Sequence, residues 1–250
     1  MTAMTKLSVN INKVATLRNT RPQLGIPGVV RAGQLCLDAG ADGLTVHPRP
    51  DERHIRAADV YEVADLLKSY PHAEYNIEGN PFFGDYIALV AAVRPTQCTL
   101  VPDTPEAKTS DHGWRLEGDA RRLAPIVQKI KGFGCRVSLF MDANTTGLEL
   151  AAKLGVDRVE LYTEPYAREI ASGDLHAPLP YAVAAAKAAD CGLGVNAGHD
   201  LNLHNLPPFL QQVPNVLEVS IGHALVADAL ELGLPLAVRR YLAACSESRR

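Results

Sequence analysis

Residues 153–161 read KLGVDRVEL, and the same device recurs at 38–46 (DAGADGLTV), 131–139 (KGFGCRVSL) and 190–197 (DCGLGVNA). In each, a helix-period stretch ends at or near a glycine, the residue that takes the left-handed turn of a helix C-terminus at least cost, and an apolar run follows within a few residues. Working outward from these joints, apolar runs predict eight strands, at 7–12, 43–47, 74–78, 97–101, 136–141, 158–162, 194–196 and 218–221. Helix-period segments lie between them at 28–39, 57–68, 86–93, 119–131, 146–154 and 181–189, with a last one at 224–232. Eight βα units in 250 residues fit the closed (β/α)8 TIM barrel. An open doubly wound sheet would carry a Gly-rich dinucleotide turn after its first strand, where this chain has NKVATLRNTR. The expectation is one α/β domain spanning 1–250, with extra helices and with long polar connections after strands one (18–27) and four (103–119). Both connections follow strand C-termini, where barrel active sites lie, and read either as lids or as solvated insertions.

A net charge of −3 argues against nucleic acid or an anionic membrane surface as partner, which leaves small molecules. Residues 1–6 have no apolar run behind their charge, and no stretch approaches the length of a membrane helix, so a cytoplasmic, unexported protein is expected. Five cysteines are widely spaced, unpaired in pattern and free of C-x-x-C, which fits a reducing compartment and a packing role. The C-terminal SESRR reads as a solvated tail.

In a barrel, the last residue of each strand points into one shared pocket. Here those positions are polar: Asn10, Asn12 and Lys13; His47 and Arg49; Glu78; Asp103; Asp142; Glu160; His199; and Gly222-His223. A single histidine at a strand end is usually a loop residue, but three of them with a glutamate point to general acid/base chemistry near neutral pH. The Gly-His pairs closing strands seven and eight either allow tight turns or offer a helix N-terminus to a phosphate. Arg18, Arg21, Arg49, Arg53 and His54 add cations of the kind that clamp one, so a sugar or ketone phosphate is the expected ligand class. Zinc-dependent barrel hydrolases need two histidines one residue apart on strand one, where this chain has Asn10-Ile11-Asn12, so no metal is expected. Nor does a strand-end lysine lie deep in the barrel; imine chemistry would need a substrate amine.

The motifs VNINKVATLRNTR (9–21), GLTVHPRPDERHI (43–55), YNIEG (75–79), TLVPD (99–103), RVSLFMDA (136–143), VELYTEPYA (159–167), VNAGHDLN (195–202) and IGHALV (221–226) together resemble the pyridoxine 5′-phosphate synthase family. The resemblance runs from Val9 to about Ala227. It implies a cofactor-free homo-octamer that condenses 3-amino-2-oxopropyl phosphate with 1-deoxy-D-xylulose 5-phosphate to pyridoxine 5′-phosphate, phosphate and water. By the same matching, His47 and Glu78 would accept protons, His199 would donate one, and Glu160 would stabilise a transition-state charge. Asn10, Arg21, Gly222 and His223 would contact the aminoketone phosphate; Asn12, Lys13, Arg49, His54 and Thr109 the deoxyxylulose phosphate. The runner-up is another metal-free barrel aldolase or isomerase acting on a sugar phosphate, and a phosphate-binding barrel without catalysis is the non-enzymatic alternative.

The chain departs from the family pattern at three places. Asn12-Lys13 stands where Asp-His is common, Pro22 follows the binding arginine in place of glycine, and Asp200 replaces the glycine after His199. Asp200 is expected at the substrate site, where an inward carboxylate 4 Å from a phosphate would cost ~4 kcal/mol at an effective dielectric near 20.

Overall fold

The computed structural model describes residues 4–143 and 146–247; Met1–Ala3 and the last three residues of the SESRR tail lie outside them. Eight parallel strands, β1 (Lys6–Asn10), β2 (Gly43–Val46), β3 (Glu74–Gly79), β4 (Gln97–Leu100), β5 (Arg136–Met141), β6 (Arg158–Tyr162), β7 (Gly194–Gly198) and β8 (Val216–Ile221), close in chain order, with β8 returning to β1. The (β/α)8 expectation holds. At the four quoted joints, Gly40, Gly134, Gly155 and Gly192 all have positive φ, between 75° and 104°, so the device read from sequence is the one the backbone uses.

The helices are α1 (Asn12–Asn19), α2 (Val29–Asp38), α3 (Ala57–Leu67), α4 (Tyr86–Val93), α5 (Leu116–Gly132), α6 (Leu148–Leu154), α7 (Glu164–Ala171), α8 (Leu179–Asp190), α9 (Leu206–Gln212), α10 (His223–Leu232) and α11 (Leu234–Glu247). Periodicity does not place four of them, α1, α7, α9 and α11. In α7, α9 and α11 a proline sits in the first turn, where its missing N–H costs nothing, although proline in a sequence reads as a break. The first strand stops at Asn10, and Asn12 and Lys13 open α1 instead of ending β1. Half of the connection read as 18–27 is therefore the end of α1 and a short 3₁₀ turn at Pro22–Leu24.

Strand residues alternate between two environments. Leu7, Val9, Leu44, Val46, Ile77, Leu100, Val137, Leu139, Val159, Leu161, Val195 and Val219 belong to one buried apolar cluster with residues of the surrounding helices. The other set faces the barrel axis and is largely polar. Ser8 Oγ and Thr45 Oγ1 are 2.7 Å apart, Asn76 Nδ2 donates to Thr45 Oγ1 at 3.3 Å, and Thr99 Oγ1 donates to Asn76 Oδ1 at 3.0 Å. At the N-terminal end Gln97 of β4 donates to Glu218 of β8 across the barrel at 3.2 Å. Barrel interiors are usually filled by branched aliphatic side chains; in this chain stability comes from the apolar layer outside the sheet, which leaves the axis for polar groups. Among the described residues no helix is long and apolar enough to cross a membrane.

Candidate active site

The polar axis opens at the strand C-termini into a cavity of about 350 Å³. Its walls contain His47, Glu78, Glu160, His199, Asn10, Asn12, Lys13, Arg49, His54, Thr109, Asp200, Gly222 and His223. Of the residues assigned proton-transfer or substrate contacts by the family resemblance, Arg21 is not brought to it, and neither are Arg18 and Arg53 among the expected phosphate clamps. The Arg21 side chain is exposed just before the 3₁₀ turn. Val101, Phe140, Ser110, Ser220 and Lys108 also line the cavity. Ser110 and Lys108 lie in the connection after β4, where length marks a functional segment but spacing does not single out a residue.

His47 and Glu78, at the ends of β2 and β3, face each other with Nδ1 and Oε2 3.7 Å apart. Asn12 Oδ1 accepts the His47 backbone N–H at 2.9 Å, and Asn10 Nδ2 reaches Glu78 Oε2 at 3.5 Å. Burial, followed by the charges of Arg49, His54 and Arg53, pushes His47 well below the usual histidine value, so it is a neutral base at pH 7. Burial pushes Glu78 well above the carboxylate range, with the like charges of Glu160 and Asp103 adding to it and Arg49 opposing. Glu160, 3 % exposed on β6, is raised to about 8 by burial and by Glu218, against a 3.4 Å hydrogen bond from Thr99. Room for this carboxyl depends on Gly198, where a Cβ would lie 2.4 Å from Glu160 Oε1. Burial in this mouth thus favours the protonated form of both acids and the uncharged form of His47.

His199 stands across the cavity, its Nε2 2.9 Å from Thr109 Oγ1 and its Nδ1 3.2 Å from Asp200 Oδ2. The hydrogen bond from His199, then the charges of His199, His223 and Lys13, hold the Asp200 carboxyl below its usual range. Thr109 brings the connection after β4 onto the site, in keeping with the lid reading. Arg49 and Arg53 fasten that connection: Arg49 is ion-paired with buried Asp103 and donates to Ala107 O, while Arg53 donates to Ala107 O and Pro105 O, each at 2.7 Å. Ser110 Oγ adds a 2.7 Å bond to Asp103 Oδ2.

Three cations expected to be mobile phosphate clamps are corrected by their partners. Arg18 is 8 % exposed and committed to Asp59, which also caps α3 by accepting the Arg56 N–H at 2.8 Å. Arg49 and Arg53 are pinned as described. His54 carries no charge at pH 7, because burial and the charges of Arg49, Lys13 and Arg53 lower it to about 4. Its Nδ1 accepts the Ile55 N–H at 3.0 Å, which leaves Nε2–H as the donor. Lys13 and His223 remain exposed at the mouth, and Gly222 caps α10, so that the first-turn N–H groups of this ten-residue helix lack helical partners. Lys13 and Lys108 are both exposed, unlike the desolvated amine of a Schiff-base lysine. Among the described residues no group of three or more His, Cys, Asp and Glu is arranged to hold a metal ion.

A model of the family described as pyridoxal phosphate biosynthesis protein PdxJ matches residues 7–247. The chain belongs to this family. It is 54 % identical over 250 residues to a protein of Albidiferax ferrireducens named pyridoxine 5′-phosphate synthase, covering 98 % of this chain and 99 % of the relative. Relatives of the same name from Xylella fastidiosa and Xanthomonas campestris pv. campestris are each 53 % identical, covering 97 % and 96 % of this chain and 95 % of their own length. Solved structures are similar in fold alone. The Amycolatopsis orientalis BexX/CysO complex aligns with a TM-score of 0.66 at 13 % identity, over 99 % of this chain and 90 % of that one. Ligand-free tryptophan synthase from M. tuberculosis gives 0.63, also at 13 %, over 98 % and 93 %. Membership places the chain among enzymes of pyridoxal phosphate biosynthesis.

Proposed function

We propose that this mouth condenses 3-amino-2-oxopropyl phosphate with 1-deoxy-D-xylulose 5-phosphate to give pyridoxine 5′-phosphate, inorganic phosphate and water, by general acid/base catalysis without a cofactor. The observation that carries the reading is the approach of His47 Nδ1 to Glu78 Oε2, 3.7 Å apart and both buried enough to disfavour their charged forms, in a mouth rimmed by Lys13, His223 and the α10 N-terminus. The condensation needs repeated proton transfers on one bound pair of substrates, and acids raised above the carboxylate range beside an uncharged imidazole supply both a donor and an acceptor.

The imine forms on the aminoketone's own amine, in keeping with the exposure of both cavity lysines. Glu78 starts as an acid and becomes a proton acceptor once its proton has passed on, with His47 Nδ1 the base within reach. Glu160 sits on the far wall, where a protonated carboxyl donates a hydrogen bond to developing negative charge. His199 gives a proton through Nε2. One phosphate lies at the α10 N-terminus with Gly222, His223 and Asn10, and Arg21 must swing in from solvent to join it. The other lies with Asn12, Lys13, Arg49, His54 and Thr109. The protein works as a cytoplasmic homo-octamer, which a native mass measurement checks.

Purified protein supplied with both substrates should release phosphate and form the fluorescent pyridoxine ring, and omitting either substrate should abolish both signals. Turnover of one phosphorylated substrate alone would instead assign a barrel aldolase or isomerase.

A further inference from the structure

Two successive non-glycine residues at the end of β7 sit in left-handed backbone conformations, His199 with φ 87° and Asp200 with φ 59°. Such conformations are uncommon outside glycine and persist where the surroundings hold them. Specific hydrogen bonds supply that hold. The Thr163 hydroxyl shares its one proton between Gly198 O at 2.7 Å and His199 O at 2.6 Å, and Asn205 Nδ2 donates to Asp200 O at 3.0 Å. The Tyr162 ring meets the imidazole edge to face, with centroids 5.3 Å apart. The outcome of these constraints is that the Asp200 carboxylate turns onto His199 Nδ1 at 3.2 Å while Nε2 faces the cavity beside Thr109.

We propose that Asp200 is a positioning residue for His199. It accepts the Nδ1–H, fixes the ring with Nε2 toward the substrates, and stabilises the charged imidazolium until Nε2 has given up its proton. The inference rests on the reading of His199 as the proton donor. A histidine that donates through one ring nitrogen keeps its other N–H, and an acceptor placed there selects both the tautomer and the orientation. The same contact explains how a carboxylate stands beside a phosphate site: its charge is answered by His199, and by Lys13 of α1 and His223 of α10. Tyr162 of β6, which packs on the imidazole, itself feels the charges of Glu164 and Arg168 of α7 and of Asp111 from the connection after β4, and that connection also brings Lys108 to the cavity wall. None of these is hydrogen-bonded to Nδ1 among the contacts of the described residues.

Asp200→Asn and Asp200→Gly both suit a left-handed backbone, so the fold should survive each. The test pairs the pH profile of kcat with a 15N histidine titration of the ligand-free protein, the His199 signals being assigned by their loss in His199→Gln. The side chains are 26 % and 39 % exposed, so solvent weakens the contact, and the expected shift is at most about 1 pH unit and smaller in high salt. In both variants the His199 titration and the alkaline limb of kcat should move to lower pH. Turnover above that limb should fall several-fold while KM for each substrate changes little, and the neutral ring should lose its single tautomer. An unmoved His199 titration in both variants would overturn the proposal, as would an unmoved alkaline limb accompanied by a lower KM, which would put Asp200 on the phosphate instead. Full turnover by His199→Gln would sink the donor role of His199, and the nitrogen shifts would still decide whether Asp200 holds the ring.

Discussion

Glu218, at the N-terminal end of the barrel axis, and Glu160, toward its C-terminal mouth, are each 3 % exposed and differ in their neighbours. Glu218 lies 3.6 Å from Arg158 and 3.8 Å from Arg136, and it also accepts from Gln97 and Asn196. Burial raises its proton affinity, and the two guanidinium groups temper that rise without reversing it. Glu160 has a hydroxyl at 3.4 Å and the like charge of Glu218 down the axis, and it is raised to about 8. Glu74 completes the contrast: ion pairs with Lys6 and Arg136 outweigh its burial and hold it below the usual range. Depth alone therefore does not set the charge of these acids. Ion pairs reverse the effect of burial at Glu74, temper it at Glu218 and are missing at Glu160, so the acid nearest the mouth is the one whose proton affinity burial raises with no cation set against it.

The contrast breaks most visibly at Glu78. Glu78→Gln keeps the shape and the hydrogen-bonding capacity but cannot lose a proton, so kcat should fall by roughly 10²–10⁴-fold, with binding of either phosphate largely retained. Single-turnover kinetics and calorimetry check the two halves. A loss confined to KM would mean that Glu78 binds and does not transfer protons.

Next in size is the floor. Glu218→Ala removes the buried carboxylate facing Arg158 and Arg136 and leaves the half-buried Arg158 beside an amide, at a cost of about 3–5 kcal/mol. The urea midpoint should drop accordingly, whereas turnover of the protein that remains folded should be close to the parent's. A variant as stable as the parent would show that the floor pairs are not structural.

The smallest effect sharpens the comparison through pH. Glu160 has a folded value of about 8 against an ordinary 4.5, so the unfolded chain ionises first. The stability contributed by the neutral carboxyl is complete below the unfolded value and is lost as pH rises through the folded one. Between pH 5 and 8 the parent should lose more stability than Glu160→Gln, by on the order of 1–3 kcal/mol. Stabilities that fall in parallel for the two proteins across that window, measured by urea unfolding, would mean that Glu160 does not hold its proton in the folded barrel.

How far the site was legible follows from which rule each residue obeys. His47, Glu78 and Glu160 could be placed in one mouth because strand alternation and closure of a parallel barrel fix where a strand's last side chain points. The eight strands and the four glycine joints were legible for the same local reason. Arg18, Arg49 and Arg53 read as free clamps because sequence shows a cation and not its partner. Asp59, Asp103 and the carbonyls of Pro105 and Ala107 lie 41 or more residues away along the chain from the arginines they hold. The helices opening with proline, and α1 under an apparent loop, were hidden because tertiary packing outweighs weak local propensity.

The amino-acid sequence by itself determined the barrel, the composition of its mouth and, through motif resemblance, the family. Those properties depend on local periodicity and on the order of chemical groups along the chain. Only the tertiary structure decided which groups carry charge. It buries His54 beside cations that disfavour its charge, buries Glu160 and Glu78 so that their proton affinities rise, commits Arg18 to Asp59 and turns Asp200 onto His199. Proton affinity is set by burial and by the nearest opposite charge, and both arise from residues far apart in the chain that meet only when the barrel closes.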